Sequence, residues 1–408
     1  PIDIITVSNY LTESRDLDAI GGPAYLAEVM NSTPTAAHVE QYAKIVKEKA
    51  LLRTLIHMSG EIVEKAYSES YENVEGFLDE VEGQIFSITE KQKTQGLVGA
   101  AELIKDSMNR LTDLFERKVE FTGVPSGFKT MDKMTSGFQP GEMTIIAARP
   151  SMGKTAFSLN IAQHVVLREK KSLAYFSVEM GKEQLMMRML ASEARVNLSD
   201  LRVGHLSDNA WPRLIDKASK MAEARMFIDD TSGISPFEIR SKCRRLQAQH
   251  GLDIIMIDYL QLMDLKQKVE SRERAVSEIS KTLKAVAKEL KVPVIALAQL
   301  NRGVEGRSDR RPMLSDLRES GSIEQDADVI MMLYREDYYD RDNPDVKGLS
   351  EIIIGKQRNG PTGTVKLRWE ANIGRFSDSE DGGGNHPLPP PPAQPIQMRR
   401  NPGPTAST

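Results

Sequence analysis

Met143-Thr144-Ile145-Ile146-Ala147-Ala148-Arg149-Pro150-Ser151-Met152-Gly153-Lys154-Thr155 is the stretch whose reading decides the fold. An apolar run, a turn containing glycine and a Lys-Thr pair lead into a helical pattern through Phe157, Ile161 and Val165. Strand, loop and helix in that order make a phosphate-binding loop. Its backbone N–H groups and helix N-terminus cradle phosphates, the lysine reaches the β and γ phosphates, and the threonine hydroxyl ligates Mg²⁺. Lys154 and Thr155 take those two places, with Arg149, Pro150, Ser151, Met152 and Gly153 forming the nucleotide-contacting loop. The first position departs from the pattern, because Ala148 stands where the motif has glycine. The competing reading is a basic turn before an ordinary helix.

Outward from this loop, short apolar runs alternate with amphipathic helices: Leu173 to Val178, Met226 to Ile228, Ile254 to Ile257, Val294 to Ala298, Val329 to Leu333 and Ile352 to Ile354. Strands buried on both faces, with helices between them, imply a mostly parallel α/β sheet with helices on both faces. Thr364 to Trp369 reads as an edge strand. Polar residues end several runs: Glu179 follows Phe176-Ser177-Val178, Asp258 follows Ile257, and Gln299 follows Ala298. Ligands of open α/β sheets lie outside the carboxyl ends of strands, so these residues should converge with the phosphate loop. Asp258 would hold Mg²⁺ together with Thr155, Glu179 would position or deprotonate the attacking water, and Gln299 would sense the γ-phosphate. Taken singly, each is also an ordinary polar strand end.

The first 90 residues look all-helical. A short helix lies around Tyr25 to Met30, and apolar residues recur at helical spacing from Tyr42 to Ile88. The chain enters in mid-pattern at Pro1, so an upstream part is expected to be missing. Lys91 to Gly99 is a polar linker, and Ala101 to Arg117 is a separate helix with Leu103, Ile104, Met108, Leu111, Leu114 and Phe115 on one face. Gly382 to Gly384 and Pro387 to Pro392 mark a compositionally disordered tail. One cysteine, Cys243, excludes an internal disulfide and every cysteine-rich zinc site. No apolar run is long enough to span a membrane and no secretory signal opens the chain, so the cytoplasm is expected. A net charge of −4 excludes a uniformly basic nucleic-acid coat and leaves DNA contact to local segments.

One such segment runs from Arg302 to Arg311, with arginines at 302, 307, 310 and 311 among glycine and serine, and reads as a flexible loop. Asp316-Leu317-Arg318-Glu319-Ser320-Gly321-Ser322 follows, polar and suited to phosphates without reading bases. The stretch Arg272 to Lys288 also carries five basic residues, which read equally well as a solvated helix face. Aromatics are not interleaved in either segment, so base stacking is not indicated.

Ala148 to Thr155, Tyr175 to Met180, Ile257 to Gln261, Ala298 to Arg302, Asp316 to Asp328 and Gly355 to Gly360 together resemble the bacterial replicative DNA helicases of the DnaB type, in order and spacing, over about Phe121 to Phe376. Ile20 to Arg53 is similar to the later part of that family's N-terminal helical domain. The resemblance makes Ala148 an accepted variant of the loop. It implies a RecA-like motor acting as a homo-hexamer, with ATP and Mg²⁺ between neighbours and movement 5′ to 3′ on single-stranded DNA. It implies further that Lys356 and Arg358 reach the γ-phosphate of a neighbour's ATP and that the helix Ala101 to Arg117 packs on the adjacent subunit. Arg302, Arg318, Glu319 and Gly321 would meet the DNA strand, and primase and a helicase loader would be partners. The implied domains are 1–90, a partial helical N-terminal collar; 91–120, a linker with its helix; 121–376, the RecA-like ATPase; and 377–408, the tail. Two other classes stay open: a different RecA-like recombination or branch-processing ATPase, and a scaffold in which ATP only sets the oligomeric state. A scaffold would not need Glu179.

Overall fold

The computed structural model describes residues 4–14, 16–32, 39–68, 71, 74, 77, 81, 84–85, 99–117 and 120–379. They fall into two compact units, Pro1–Leu111 and Thr112–Thr408. The Gly- and Pro-rich tail beyond 379 lies outside the described residues, as do 86–98 and much of 69–83.

The first unit holds α1 (Ile4–Glu13), α2 (Gly22–Ser32) and α3 (Val39–Tyr67), and α4 (Ala100–Arg117) begins in it. The helical reading from Tyr42 is met without a break to Tyr67, and Val74, Phe77, Val81, Gln84 and Ile85 are helical among the described residues beyond it. On α3 the apolar positions are largely uncovered, Ile56 being 73% exposed, and Met58 is the residue that is buried. Leu103, Ile104, Met108, Leu111 and Phe115 of α4 are likewise exposed.

In the second unit the described strands form one sheet in the order β3-β2-β4-β5-β1-β6-β7-β8-β9. They are β1 (Met143–Ala148), β2 (Leu173–Ser177), β3 (Met226–Asp229), β4 (Ile254–Asp258), β5 (Val294–Gln299), β6 (Val329–Tyr334), β7 (Leu349–Gln357), β8 (Gly363–Glu370) and β9 (Arg375–Asp378). The first six are parallel and β7 to β9 run antiparallel. Successive side chains of a strand point to opposite faces, so β1 feeds two cores. Ile146 and Ala148 pack with Phe157, Ile161 and Val165 of α6 (Lys154–Leu167). Met143, Ile145 and Ala147 pack on the other face, with Ile239 and Cys243 of α10 (Pro236–His250) and with Val276, Ile279 and Leu283 of α11 (Arg272–Leu290). Burying a side chain such as Phe157 contributes ~1.5–3 kcal/mol, and this double burial explains why the strands read as unbroken apolar runs.

The remaining helices, α5 (Lys129–Thr135), α7 (Lys182–Ala194), α8 (Leu198–Val203), α9 (Ala210–Ala222) and the six-residue α12 (Gly321–Asp326), flank the strands. Two expectations are corrected. Thr364 to Trp369 is not an edge: β9 pairs beyond it with Trp369 opposite Phe376, their rings 4.3 Å apart. A four-residue strand after a turn carries too short a pattern to be seen in sequence. For the same reason the expected domain end at 376 falls inside β9, which runs to Asp378.

Candidate functional site

β1 ends at Ala148, which still pairs with Gln299 and Leu333. Its strand backbone needs no glycine, which accounts for the departure at that position. The turn itself needs two left-handed residues, Ser151 at φ 66° and Gly153 at φ 97°. Conformation calls for glycine at 153, and a Cβ there would also press on the Phe376 ring, 3.1 Å from its Cζ, with Trp369 in ordinary contact at 3.7 Å. Lys154 and Thr155 then open α6.

Both side chains converge on one carboxylate. Thr155 Oγ1 donates to Asp258 Oδ2 at 2.6 Å, and Lys154 Nζ lies 3.5 Å from Asp258 Oδ1. The same ammonium sits 3.9 Å from the centre of the Tyr259 ring. Burial pulls the Lys154 pKa below its ordinary value, against the opposing charges of Asp258 and Glu179. Beneath them the Tyr175 and Ser158 hydroxyls share a 2.9 Å hydrogen bond, and burial raises the Tyr175 pKa well above the usual phenol range.

Asp258 is fully buried, and its Oδ1 accepts no hydrogen bond. Such an oxygen beside a threonine hydroxyl fits Mg²⁺. That ion is commonly held by one or two protein oxygens while phosphate and water complete its shell. Among the described residues no cluster of three or more His, Cys, Asp or Glu could hold a metal alone. The donor set therefore suits a metal that arrives with a nucleotide.

β2, β4, β5 and β1 are consecutive neighbours in the sheet, so their carboxyl ends bring Glu179, Asp258, Gln299 and the phosphate loop to one edge. Glu179 is exposed, two residues beyond β2. The Gln299 main chain is bracketed by Gln261, whose Oε1 accepts its N–H and whose Nε2 donates to its carbonyl, both at 3.2 Å.

Arg149 and Pro150 contribute differently from expectation. The Arg149 guanidinium turns away from the loop, donating to Glu305 Oε1 at 2.8 and 2.9 Å and to the Leu300 carbonyl at 2.7 Å. Pro150 has no N–H to offer. Met152 is buried in the core. These residues shape the loop, the Met152 N–H donating to the Arg149 carbonyl at 3.4 Å, and the N–H groups of Ser151, Gly153, Lys154 and Thr155 are left as its donors.

Lys356 and Arg358 are at the other end of the sheet. β7 runs antiparallel, with Lys356 opposite Ile330. The Arg358 N–H donates to the Asp328 carbonyl, and the Asp328 N–H to the Met143 carbonyl. Arg358 is thus level with Met143, five residues of β1 before Ala148. At roughly 3.3 Å per residue it lies about 16 Å down the strand from where the phosphate loop begins. Lys356 Nζ donates to the Glu324 and Ala327 carbonyls at 2.5 and 2.7 Å, and Arg358 Nη2 to the Gln325 carbonyl at 2.7 Å. Neither converges with its own chain's loop.

The segment from Arg302 is not a featureless loop. Arg302–Gly306 is a 3-10 turn, with Asn301 Oδ1 accepting from the Gly303 N–H at 2.7 Å. Arg307 donates twice to Asp316, Arg311 pairs with Glu351, and Arg310 stacks on Tyr339, while Arg302 stays exposed. Arg318 and Glu319 lie in a second 3-10 stretch, Leu314–Ser320, and Gly321 opens α12. The side chains of 318–322 lie outside the described residues. On α11, Lys284 is withdrawn into a 2.5 Å pair with Asp328 and is not part of a basic face.

Residues that sequence reasoning gave no role also stand here. Tyr259 flanks Lys154, and Trp369 and Phe376 wall the loop at Gly153. Arg335 lies 5.2 Å from the Trp369 ring centre, and the Trp369 Nε1 is buried with no hydrogen-bond partner. Tyr259 was signalled by its place next to Asp258. The aromatic wall comes from distant sequence and had no signal.

Comparison with known proteins points the same way. The family model of the DnaB-like helicase C terminal domain matches residues 123–378, and that of the DnaB-like helicase N terminal domain matches residues 1–48. The replicative DNA helicase DnaC of Bacillus subtilis is 47% identical over 381 residues, covering 93% of this chain and 84% of that protein. The replicative DNA helicase DnaB of Geobacillus stearothermophilus is 45% identical over 391 residues, covering 96% and 86%. A solved DnaB-like replicative helicase, studied for its interactions with primase, superposes with a TM-score of 0.75 at 34% identity, covering 93% of this chain and 88% of that one. A second solved structure, an isolated ATPase domain, gives a TM-score of 0.65 at 40% identity, covering 68% and 99%.

Proposed function

The chain belongs to the DnaB-like helicase family as an ATP-dependent replicative DNA helicase, and we propose that it works as a homo-hexamer whose ATP sites are completed across subunit boundaries. One observation carries this reading: Lys154, Thr155 and Asp258 meet at one end of the sheet, while Lys356 and Arg358 stand at the other. An arginine level with Met143 cannot serve its own phosphate loop, but the same end of a neighbouring copy can.

In this reading the N–H groups of Ser151, Gly153, Lys154 and Thr155 and the Lys154 ammonium hold the ATP phosphates. Thr155 and Asp258 would hold Mg²⁺, which when bound would supply positive charge beside the phosphates. Glu179 orients the attacking water and takes its proton, and Gln299 responds to the γ-phosphate at the end of β5. Arg358 of the neighbour stabilises charge as the γ-phosphoryl group leaves. Trp369, backed by Arg335, offers the nucleobase a stacking face beside Gly153.

Arg302 and the segment Arg318, Glu319 and Gly321 contact single-stranded DNA through its phosphates, independent of sequence. The ring moves 5′ to 3′, and the exposed apolar face of α4 packs on the adjacent subunit. Primase and a loader are its partners, and it acts in the cytoplasm. The domain scheme is the collar over 1–90, the linker over 91–120, the motor from 121 and the tail after β9. A forked duplex tests the whole: with a 5′ single-stranded tail it should open when ATP is supplied. DNA-stimulated hydrolysis without strand separation would favour the other RecA-like ATPases, and a need for a 3′ tail would reverse the polarity.

A further inference from the structure

Asp328 occupies the junction between α12 and β6 and is buried. Its Oδ2 accepts from the Met143 N–H at 2.7 Å and from Lys284 Nζ at 2.5 Å. Its main-chain N–H donates to the Met143 carbonyl at 2.9 Å, and its carbonyl accepts from the Arg358 N–H at 3.0 Å. Its Oδ1 faces Arg358 Nη1 at 3.7 Å. Through one residue the start of β1, the middle of α11 and the chain beyond β7 are joined.

The side chains beside Arg358 are each committed. Lys356 is spent on the carbonyls ending α12, Gln357 Nε2 donates to the Met134 carbonyl at 2.9 Å, and Asn359 Nδ2 donates to Glu142 Oε1 at 2.7 Å. Arg358 differs. Its side chain is half exposed, and it is held by one carbonyl and the long ion pair to Asp328. A rigid base carrying one loosely held cation is what a preorganised charge needs, since positioning settled before reaction is not paid for during it.

We propose that Asp328 is the positioning residue of the Arg358 guanidinium. Its main-chain bond fixes the arm's origin and its carboxylate sets the direction of the charge. Lys284, closer than Arg358 to the same carboxylate, shares that negative charge and keeps the hold on the arginine weak enough to release. Asp328 touches no nucleotide and acts only through Arg358. The proposal rests on the trans reading of Arg358 and gives Lys356 a share in the anchoring.

The test is Asp328→Asn in the full hexamer, because asparagine keeps an oxygen for the Met143 N–H and removes the charge. Turnover of ATP with single-stranded DNA should fall roughly tenfold, with KM for ATP within about twofold. Rings mixed with Lys154→Ala should regain turnover, and rings mixed with Arg358→Ala should not, because both of those subunits fail on the same side of the junction. A defect in the chain's own phosphate loop gives the opposite pattern, a general folding defect gives no rescue with either, and both overturn the proposal, as does wild-type turnover of Asp328→Asn. If Asp328→Asn does not assemble, Lys284→Gln takes its place. Freed of its competitor, the carboxylate should grip Arg358, and turnover should fall with the same rescue pattern; unchanged turnover, or the reverse pattern, refutes it. Should Arg358→Ala itself turn over ATP at the wild-type rate, the trans reading has failed and the role of Asp328 falls with it, whereas a slow Arg358→Ala beside a wild-type Asp328→Asn refutes the role of Asp328 alone.

Discussion

The Thr155 hydroxyl donates a 2.6 Å hydrogen bond to Asp258 Oδ2, tying the first turn of α6 to the end of β4. The two residues are 103 positions apart in sequence, and the bond forms because β1 and β4 both flank β5 in the parallel sheet. With Lys154 on the other oxygen, the phosphate loop and the end of β4 meet at one carboxylate, while Glu179 stands apart, two residues beyond β2.

Binding and hydrolysis should therefore come apart by mutation. Lys154→Ala loses productive ATP binding. Glu179→Gln keeps binding and loses turnover by roughly 10²–10⁴-fold, the worth of a positioned general base. Nucleotide titration alongside phosphate release measures both. Near wild-type turnover of Glu179→Gln with saturating DNA would remove Glu179 from the chemistry.

Arg358→Ala should reduce turnover by about 10³-fold or more, as an arginine finger does. Co-expressed with Lys154→Ala it should regain hydrolysis, because a good loop of one subunit can meet a good arginine of the next. Mixed rings, confirmed to hold both subunits, that hydrolyse no faster than either pure mutant would make Arg358 a structural or cis residue.

Arg318→Ala should weaken single-strand binding about equally for all sequences and make the salt dependence shallower, by about 0.7 in log K against log[salt] for one lost phosphate contact. Binding isotherms at several salt concentrations give the slope. Loss confined to one base composition contradicts backbone contact.

Trp369→Ala should raise KM for ATP more than it lowers kcat, since a stacked base is worth ~1–3 kcal/mol and takes no part in phosphoryl transfer. Steady-state kinetics decide it. An unchanged KM leaves Trp369 as packing for Phe376.

Cys243 is fully buried between α10 and the sheet, and burial pushes its thiol up to about 12. It should resist alkylation in the native protein near pH 8 and react only as the fold opens. The linkage has a definite sign: below about pH 9 the thiol is neutral in both states and its contribution to stability is complete. As pH rises from about 9 toward about 12 the unfolded thiol ionises while the folded one does not, and stability falls. Rapid native labelling at pH 8 would show that the buried position is wrong.

The amino-acid sequence by itself determined the strand, loop and helix around Lys154, the polar ends at Glu179, Asp258 and Gln299, and the parallel α/β class. Each of these is written in neighbours a few residues apart, where the burial of a strand or the conformation of a turn leaves a local pattern. Other features had no such mark. That Arg149 braces Glu305, that Trp369 and Phe376 wall Gly153, and that Lys284 is spent on Asp328 all depend on which strands and helices come to lie side by side. The position of Arg358 is the clearest case. Its chemistry can be read from one letter, but its distance from the phosphate loop follows from the reversal of β7 against β6, a pairing chosen by the burial of Ile352 to Ile354 in the assembled sheet. Only the tertiary structure decides such a pairing, because its free energy belongs to residues brought together from far along the chain.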